Sequence, residues 1–129
     1  MKRVCEFLKK CEIFYVATAE NNTPHLRPFG AAEIWNNQLI IQTGKAKAVY
    51  SQLAENPCTE IVACDGENWL RLSCRAKPVY DKNAEEAFFV EYPYLKEAYD
   101  KSNPMAVFAL ENATAVWFYA DGSSETVNF

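Results

Sequence analysis

The sequence has little histidine or glycine, no excess of positive charge and no long apolar run. Its 129 residues include one His and four Gly, and 17 acidic residues outnumber 13 basic ones. The resulting net charge of −4 argues against a nucleic-acid partner, which needs a basic protein face. One His and no CxxC pair leave a zinc cluster short of its usual ligands.

The chain also lacks the marks of export. The first ten residues contain no signal-peptide apolar core, and no segment approaches the ~20 apolar residues of a membrane span. Five cysteines, an odd number without CxxC spacing, are typical of free thiols in a reducing compartment. We therefore expect a cytoplasmic protein without a membrane partner. Because Cys58 and Cys64 lie in strand-like segments, we expect both to be buried and inert.

Apolar residues, by contrast, are abundant. Half of the residues are hydrophobic and 14% are aromatic, which is enough for a real core. The length fits a single domain, residues 1–129. Since the aromatic content is generous for one small core, we expect some rings to cover a partner subunit or a flat ligand.

Runs of β-forming residues predict a mainly β fold with peripheral helices. Two Asn-Asn pairs, at 21–22 and 36–37, favour tight turns between successive antiparallel strands. We expect six or seven strands closing into a barrel or a sandwich, at residues 12–20, 25–35, 39–43, 59–64, 69–80, 105–110 and 114–119, before a short last strand near Val127.

About three helices are predicted around these strands. Val4, Phe7 and Leu8 recur at helical spacing in a short first helix of about two turns. A second helix covers 46–55. A third covers 84–99, with Asn83 as its cap and a break at Pro93.

The segment Thr43-Gly44-Lys45-Ala46-Lys47 lies where a strand meets a helix. A helix start offers free backbone N–H groups and a positive dipole end, and a hydroxyl with two lysines adds to its attraction for phosphate. The alternative interpretation is a plain glycine turn followed by solvated lysines.

Two other strand segments carry arginines among apolar residues. In His25-Leu26-Arg27-Pro28-Phe29, the arginine and its aromatic neighbour suit a phosphate or a planar ring, or else Arg27 is a surface residue of an edge strand. In the segment from Trp69 to Arg75, alternation puts Trp69, Arg71, Ser73 and Arg75 on one face, which meets a ligand or water. We find no hydrolase constellation, no GxGxxG and no P-loop.

Taken in order, these motifs resemble the pyridoxamine 5′-phosphate oxidase-like proteins, the FMN-binding split barrels. The resemblance rests on Arg27-Pro28-Phe29, the segment from Gln42 to Lys47, the helix stop at Asn56-Pro57 and the hairpin with Trp69-Leu70-Arg71-Leu72. It covers about residues 12–81 well and the remainder by strand count. It implies a six-stranded antiparallel split β-barrel of Greek-key type, and a homodimer with FMN at the subunit interface.

The resemblance also implies roles for single residues. Arg27 and Lys47 would contact the phosphate end of FMN, with Lys45 as a substitute. Gln42 and Thr43 would follow the phosphate and the ribityl chain. The backbone of Pro28 and Phe29 would lie along the flavin ring, and Trp117 matches an aromatic that the partner subunit brings to the flavin in some members.

The sequence departs from the family's oxidases at three positions and lacks one motif. Ala46-Lys47 stands where they carry an Arg-Lys pair, Trp69 where a glutamine faces the flavin, and Ala32 where they have a lysine. The C-terminal Arg-x-His motif is missing. These departures argue against oxidation of vitamin B6 itself.

The expected function is that of an FMN-dependent oxidoreductase acting on a small molecule that the sequence does not identify. The alternatives are a non-enzymatic module that stores or senses flavin, deazaflavin or haem, and a barrel without a cofactor that works through protein contacts. His25 is the one histidine available to ligate haem.

Overall fold

Eight strands and four helices make up the computed structural model, which describes residues 1–129. None of the helices has the length and apolar content that a bilayer crossing requires. In chain order the elements are α1 (Lys2–Cys11), β1 (Phe14–Glu20), β2 (Thr23–Phe29), β3 (Ala32–Trp35), β4 (Gln38–Gly44), α2 (Ala48–Glu55), β5 (Cys58–Cys64), β6 (Trp69–Val79), α3 (Lys82–Glu91), α4 (Leu95–Ala98), β7 (Met105–Phe118) and β8 (Ser124–Asn128).

All strands belong to one antiparallel sheet with the order β2-β1-β5-β6-β7-β4-β3, and β8 pairs with β7. The two outermost strands of this order, β2 and β3, are separated in the chain only by Gly30 and Ala31. So short a connection requires the sheet to curve until its ends come close together. This confirms the predicted mainly antiparallel split barrel, with eight strands instead of six.

Apolar side chains fill the sheet's interior and also lie under α3. The larger cluster contains Phe14, Ile61, Leu72 and Phe108, and α1 and α2 cover it. A smaller cluster joins Phe88 of α3 to the opposite face of β4 and β7. Both faces of β4 and of the first half of β7 are therefore covered, which explains why residues 105–110 are all buried.

The local turn predictions are confirmed. Asn21, Asn22, Asn36 and Asn37 all have positive φ, between 48° and 64°, as tight hairpin turns require. The third predicted helix does break near Pro93, into α3 and α4.

Two strand predictions were wrong. The predicted strand 25–35 is divided, because β2 pairs with β1 while β3 pairs with β4. The predicted strands 105–110 and 114–119 are one strand, β7, because a bulge absorbs the interruption. Across it, Arg75 pairs with Glu111 but Ser73 with Thr114, and Asn112 takes a φ of 49°.

Smaller corrections concern helix ends and cysteines. The first helix has ten residues rather than two turns. The cap of α3 is Asp81, whose carboxylate accepts a hydrogen bond from the N–H of Asn83, so Asn83 is inside the helix. Cys58 and Cys64 are exposed, since both fall on the outward-facing positions of β5, whereas Cys5 and Cys74 are buried.

Candidate functional site

A cavity of about 130 Å³ lies between the end of β2 and the junction of β4 with α2. Six of the predicted ligand-binding residues line it, together with Gly30, Val49 and Tyr99: Arg27, Pro28, Phe29, Gln42, Thr43 and Lys47. No Asp or Glu lines the cavity, so its charged side chains are both positive. A small polar cavity of this kind suits an anion.

Arg27 projects from an edge strand but is half-buried. Its Nη1 donates to the carbonyl oxygen of Val16 at 3.1 Å and to Oγ1 of Thr18 at 2.8 Å. Its Nη2 donates to Oε1 of Gln52. Burial lowers the pKa of the Arg27 guanidinium, which nevertheless stays protonated because an arginine pKa lies so far above neutrality.

Gln42 carries a buried polar atom without a partner. Its Oε1 is shielded from solvent and accepts no hydrogen bond within the chain. If the amide is turned the other way, a buried N–H is left unpaired instead. An unsatisfied group of this kind costs about 1–3 kcal/mol. A ligand with hydroxyl groups would satisfy it.

Thr43 and Lys47 flank the turn that enters α2. Thr43 is buried at the end of β4, and Lys47 is the exposed residue immediately before the helix. The N–H of Lys47 donates to the carbonyl oxygen of Gly44 at 3.1 Å, which closes the turn. Lysine at this place adds a mobile charge to the positive end of the helix dipole.

Tyr99 is a cavity residue that the sequence did not reveal. It follows α4 and is half-buried, and burial raises the pKa of its hydroxyl. A Cβ at Gly44 would lie 3.3 Å from Cε1 of Tyr99, so a side chain there would push against the ring, which packs closely on the glycine. Thr18 and Gln52 were also missed. No local pattern marks these three residues, because their role depends on contacts between distant segments.

Lys45 lies apart from this cavity although it precedes Lys47 by only two residues. It lines a second cavity of about 210 Å³ with Tyr50, Tyr80 and Lys82. The two cavities share no lining residue. Within one chain, Lys47 is therefore the lysine near Arg27.

Trp69 and Trp117 also lie elsewhere in the chain. Trp69 stacks on Phe118 with ring centres 4.0 Å apart, and the Arg71 guanidinium lies 5.1 Å from the Trp69 ring. This pair is on the outer face of the sheet. The residues of β6 alternate between buried and more exposed from Trp69 to Arg75, which confirms the predicted alternation. Trp117 is only 2% exposed, and Arg3 covers its ring at 4.1 Å.

Comparison with known proteins identifies the class to which this fold and cavity belong. The family model described as pyridoxamine 5′-phosphate oxidase matches residues 1–120. The chain therefore belongs to the pyridoxamine 5′-phosphate oxidase family. No curated protein sequence matches the chain significantly.

Solved structures share this fold. A NimC/NimA family protein from Clostridium acetobutylicum is 29% identical, with a TM-score of 0.90 over 98% of this chain and 93% of its own. A putative pyridoxamine 5′-phosphate oxidase from Listeria innocua is 14% identical, with a TM-score of 0.64 over 84% of this chain and 90% of its own. A haem-binding protein from Mycobacterium smegmatis is 15% identical, with a TM-score of 0.71 over 94% of this chain and 57% of its own. The last two likenesses concern the fold alone.

Proposed function

We propose that this protein binds FMN and acts as a flavin-dependent oxidoreductase on a small molecule. The observation that carries the proposal is the cavity that joins Arg27 and Lys47 to the unpartnered amide of Gln42. Its two cations match a phosphate, and no carboxylate opposes them. Members of the family commonly bind flavin.

The remaining lining residues suit the rest of the cofactor. The buried amide of Gln42 and the hydroxyl of Thr43 offer hydrogen bonds to the ribityl hydroxyls. Pro28 and Phe29 continue the cavity lining along the edge strand β2, and the flavin ring would lie along them. FMN would supply the hydride or electron transfer, and the protein would bind and orient it. Tyr99 and Lys47 are the side chains in the cavity lining that carry a proton they could donate near neutrality.

The cavity is too small for a whole flavin. Cofactor sites typically measure about 300–1,000 Å³, against about 130 Å³ here. We therefore propose that a second copy of the chain completes the site, as in a homodimer with two sites at its interface. Family members are often dimeric.

The outer face of β1 and β2 is the proposed contact with that second copy. Tyr15 lies directly opposite Pro28, and Leu26 opposite Ala17. Tyr15 and Leu26 are 48% and 68% exposed, so apolar surface extends from the cavity edge across the sheet. In a two-fold dimer this surface would meet its own copy.

Haem binding is the second candidate, because one fold relative is a haem-binding protein. A haem would need His25 as its ligand. His25 does not line the cavity, and its Nε2, which lies 3.5 Å from a carboxylate oxygen of Glu20 without a hydrogen bond, is shielded from solvent. The geometry therefore favours flavin.

Absorbance spectroscopy of the purified protein tests the proposal. We expect flavin absorbance bands at about 375 and 450 nm. These bands should be retained through gel filtration or regained when FMN is added. NADH- or NADPH-driven bleaching of these bands would separate an oxidoreductase from a flavin store. A protein that ignores FMN but gives a haem spectrum, lost in His25→Ala, would replace the flavin proposal with the haem one. A protein that binds neither FMN, deazaflavin nor haem would refute both.

A further inference from the structure

The guanidinium of Arg27 is held by a polar network that lies outside the cavity lining. Thr18, on β1, is 3% exposed, and Gln52, on α2, is 5% exposed. The Thr18 hydroxyl accepts from Arg27 Nη1 at 2.8 Å and donates to Gln52 Oε1 at 2.7 Å. The same amide oxygen accepts from Arg27 Nη2. Two segments of the chain, β1 and α2, thus converge on one arginine of β2.

These bonds leave one edge of the guanidinium free. Arginine has five N–H donors. Both donors on Nη1 are used, by Val16 and Thr18, and one donor on Nη2 is used by Gln52. The remaining donors are on Nε and Nη2, and they point to the same side of the planar group. This edge is the fork that binds two oxygens of a phosphate or carboxylate together.

We propose that Thr18 and Gln52 are positioning residues that present the free edge of Arg27 to the FMN phosphate. This inference rests on the proposed FMN site. An unrestrained arginine loses rotamer entropy when it binds an anion, whereas a guanidinium already fixed by three bonds loses less. The network therefore gives the protein its preference for FMN over riboflavin, which has no phosphate.

The network also joins the two cationic residues of the site. Gln52 belongs to α2, the helix that begins directly after Lys47. A bond from Arg27 to Gln52 therefore fixes this helix relative to β2, and with it the distance between the two charges. A change at Thr18 or Gln52 should alter phosphate recognition without a contact between either residue and FMN.

The test compares FMN and riboflavin affinities in variants of Thr18. Thr18→Val keeps the side-chain shape but removes the hydroxyl, and Thr18→Ser keeps the hydroxyl. We expect Thr18→Val to weaken FMN binding about tenfold, with riboflavin binding unchanged, and Thr18→Ser to retain the wild-type preference. Gln52→Leu should act in the same direction as Thr18→Val.

The ratio of the two affinities separates positioning from a merely structural role. A misfolded variant loses FMN and riboflavin binding together, and thermal melts identify it. If Thr18→Val and Gln52→Leu fold and keep the wild-type ratio, the positioning role is wrong while the FMN site stands. If the wild-type protein binds neither flavin, the proposed function fails and this inference fails with it.

Discussion

Lys45 and Lys47 provide a matched pair of substitutions that tests the proposed phosphate site. Each Lys→Ala change removes one exposed positive charge, and the two positions are only two residues apart. Lys47 lines the cavity with Arg27, whereas Lys45 lines a cavity that shares no residue with it. The overall charge of the protein therefore changes equally, and only the local geometry differs.

The size of the effect on FMN affinity follows from the solvent exposure of Lys47. A hydrogen bond between charged groups contributes about 1.5–3 kcal/mol, and exposure of Lys47 reduces this to about 1–2 kcal/mol through solvent screening. Lys47→Ala should therefore raise the Kd for FMN by roughly 5- to 30-fold. Lys45→Ala should change it less than about twofold, because salt screens an exposed charge without direct contact.

Quenching of flavin fluorescence on binding measures both values, at about 50 and 300 mM salt. The difference between the variants should be larger at low salt. Riboflavin serves as the ligand control, since neither variant should alter its binding. Equal losses in the two variants, or a larger loss in Lys45→Ala, would refute the assignment of Lys47 to the phosphate.

Three further predictions concern stability and assembly. Phe108 is fully buried in the larger cluster. Phe108→Ala should therefore lower the free energy of unfolding, measured by guanidinium titration, by about 3–5 kcal/mol. A loss under about 1 kcal/mol would contradict its place in the core. Hydrogen bonds from the Lys10 side chain and from the backbone N–H groups of Asn68 and Glu67 lower the pKa of Asp65 to about 2. This folded-state pKa is below the unfolded value of about 3.9, so the stabilisation from ionised Asp65 should be complete above the unfolded value and be lost as the pH falls towards 2. The Tm of Asp65→Asn should therefore lie below that of the wild type near pH 6, and the difference should shrink at low pH. A Tm difference that does not change with pH would contradict the lowered pKa. Tyr15→Glu should convert the proposed dimer to a monomer, as judged from the molar mass by light scattering, and should weaken FMN binding. An unchanged dimer would show that the interface does not include Tyr15.

Local chemistry made the turns and most elements predictable. The Asn-Asn pairs adopt positive φ because asparagine tolerates this conformation and short loops between antiparallel strands require it. Pro93 interrupts the third helix because it lacks an N–H donor. Alternation along β6 likewise determined which side chains face outward.

Pairing between distant strands was not predictable from the same signals. Residues 25–35 include Pro28 and Gly30, which are poor strand formers. These two residues alone do not show that Gly30 and Ala31 carry the chain from one end of the sheet to the other. Residues 105–118 contain a turn-like Asn112, yet pairing with β6 on both sides of it keeps the strand continuous through a bulge.

The candidate site also has a part that was predictable from the sequence and a part that was not. The residue types near the cavity were predictable from the sequence, because arginine, lysine and a Gly turn before a helix suit phosphate wherever they occur together. The separation of Lys45 from the cavity that Lys47 and Arg27 share, and the part of Tyr99 in the cavity wall, became visible in the folded chain. The tertiary structure also brought Thr18 and Gln52 to Arg27. The physical reason is that side-chain direction at a turn, and contacts between segments far apart in the chain, depend on how the whole sheet closes.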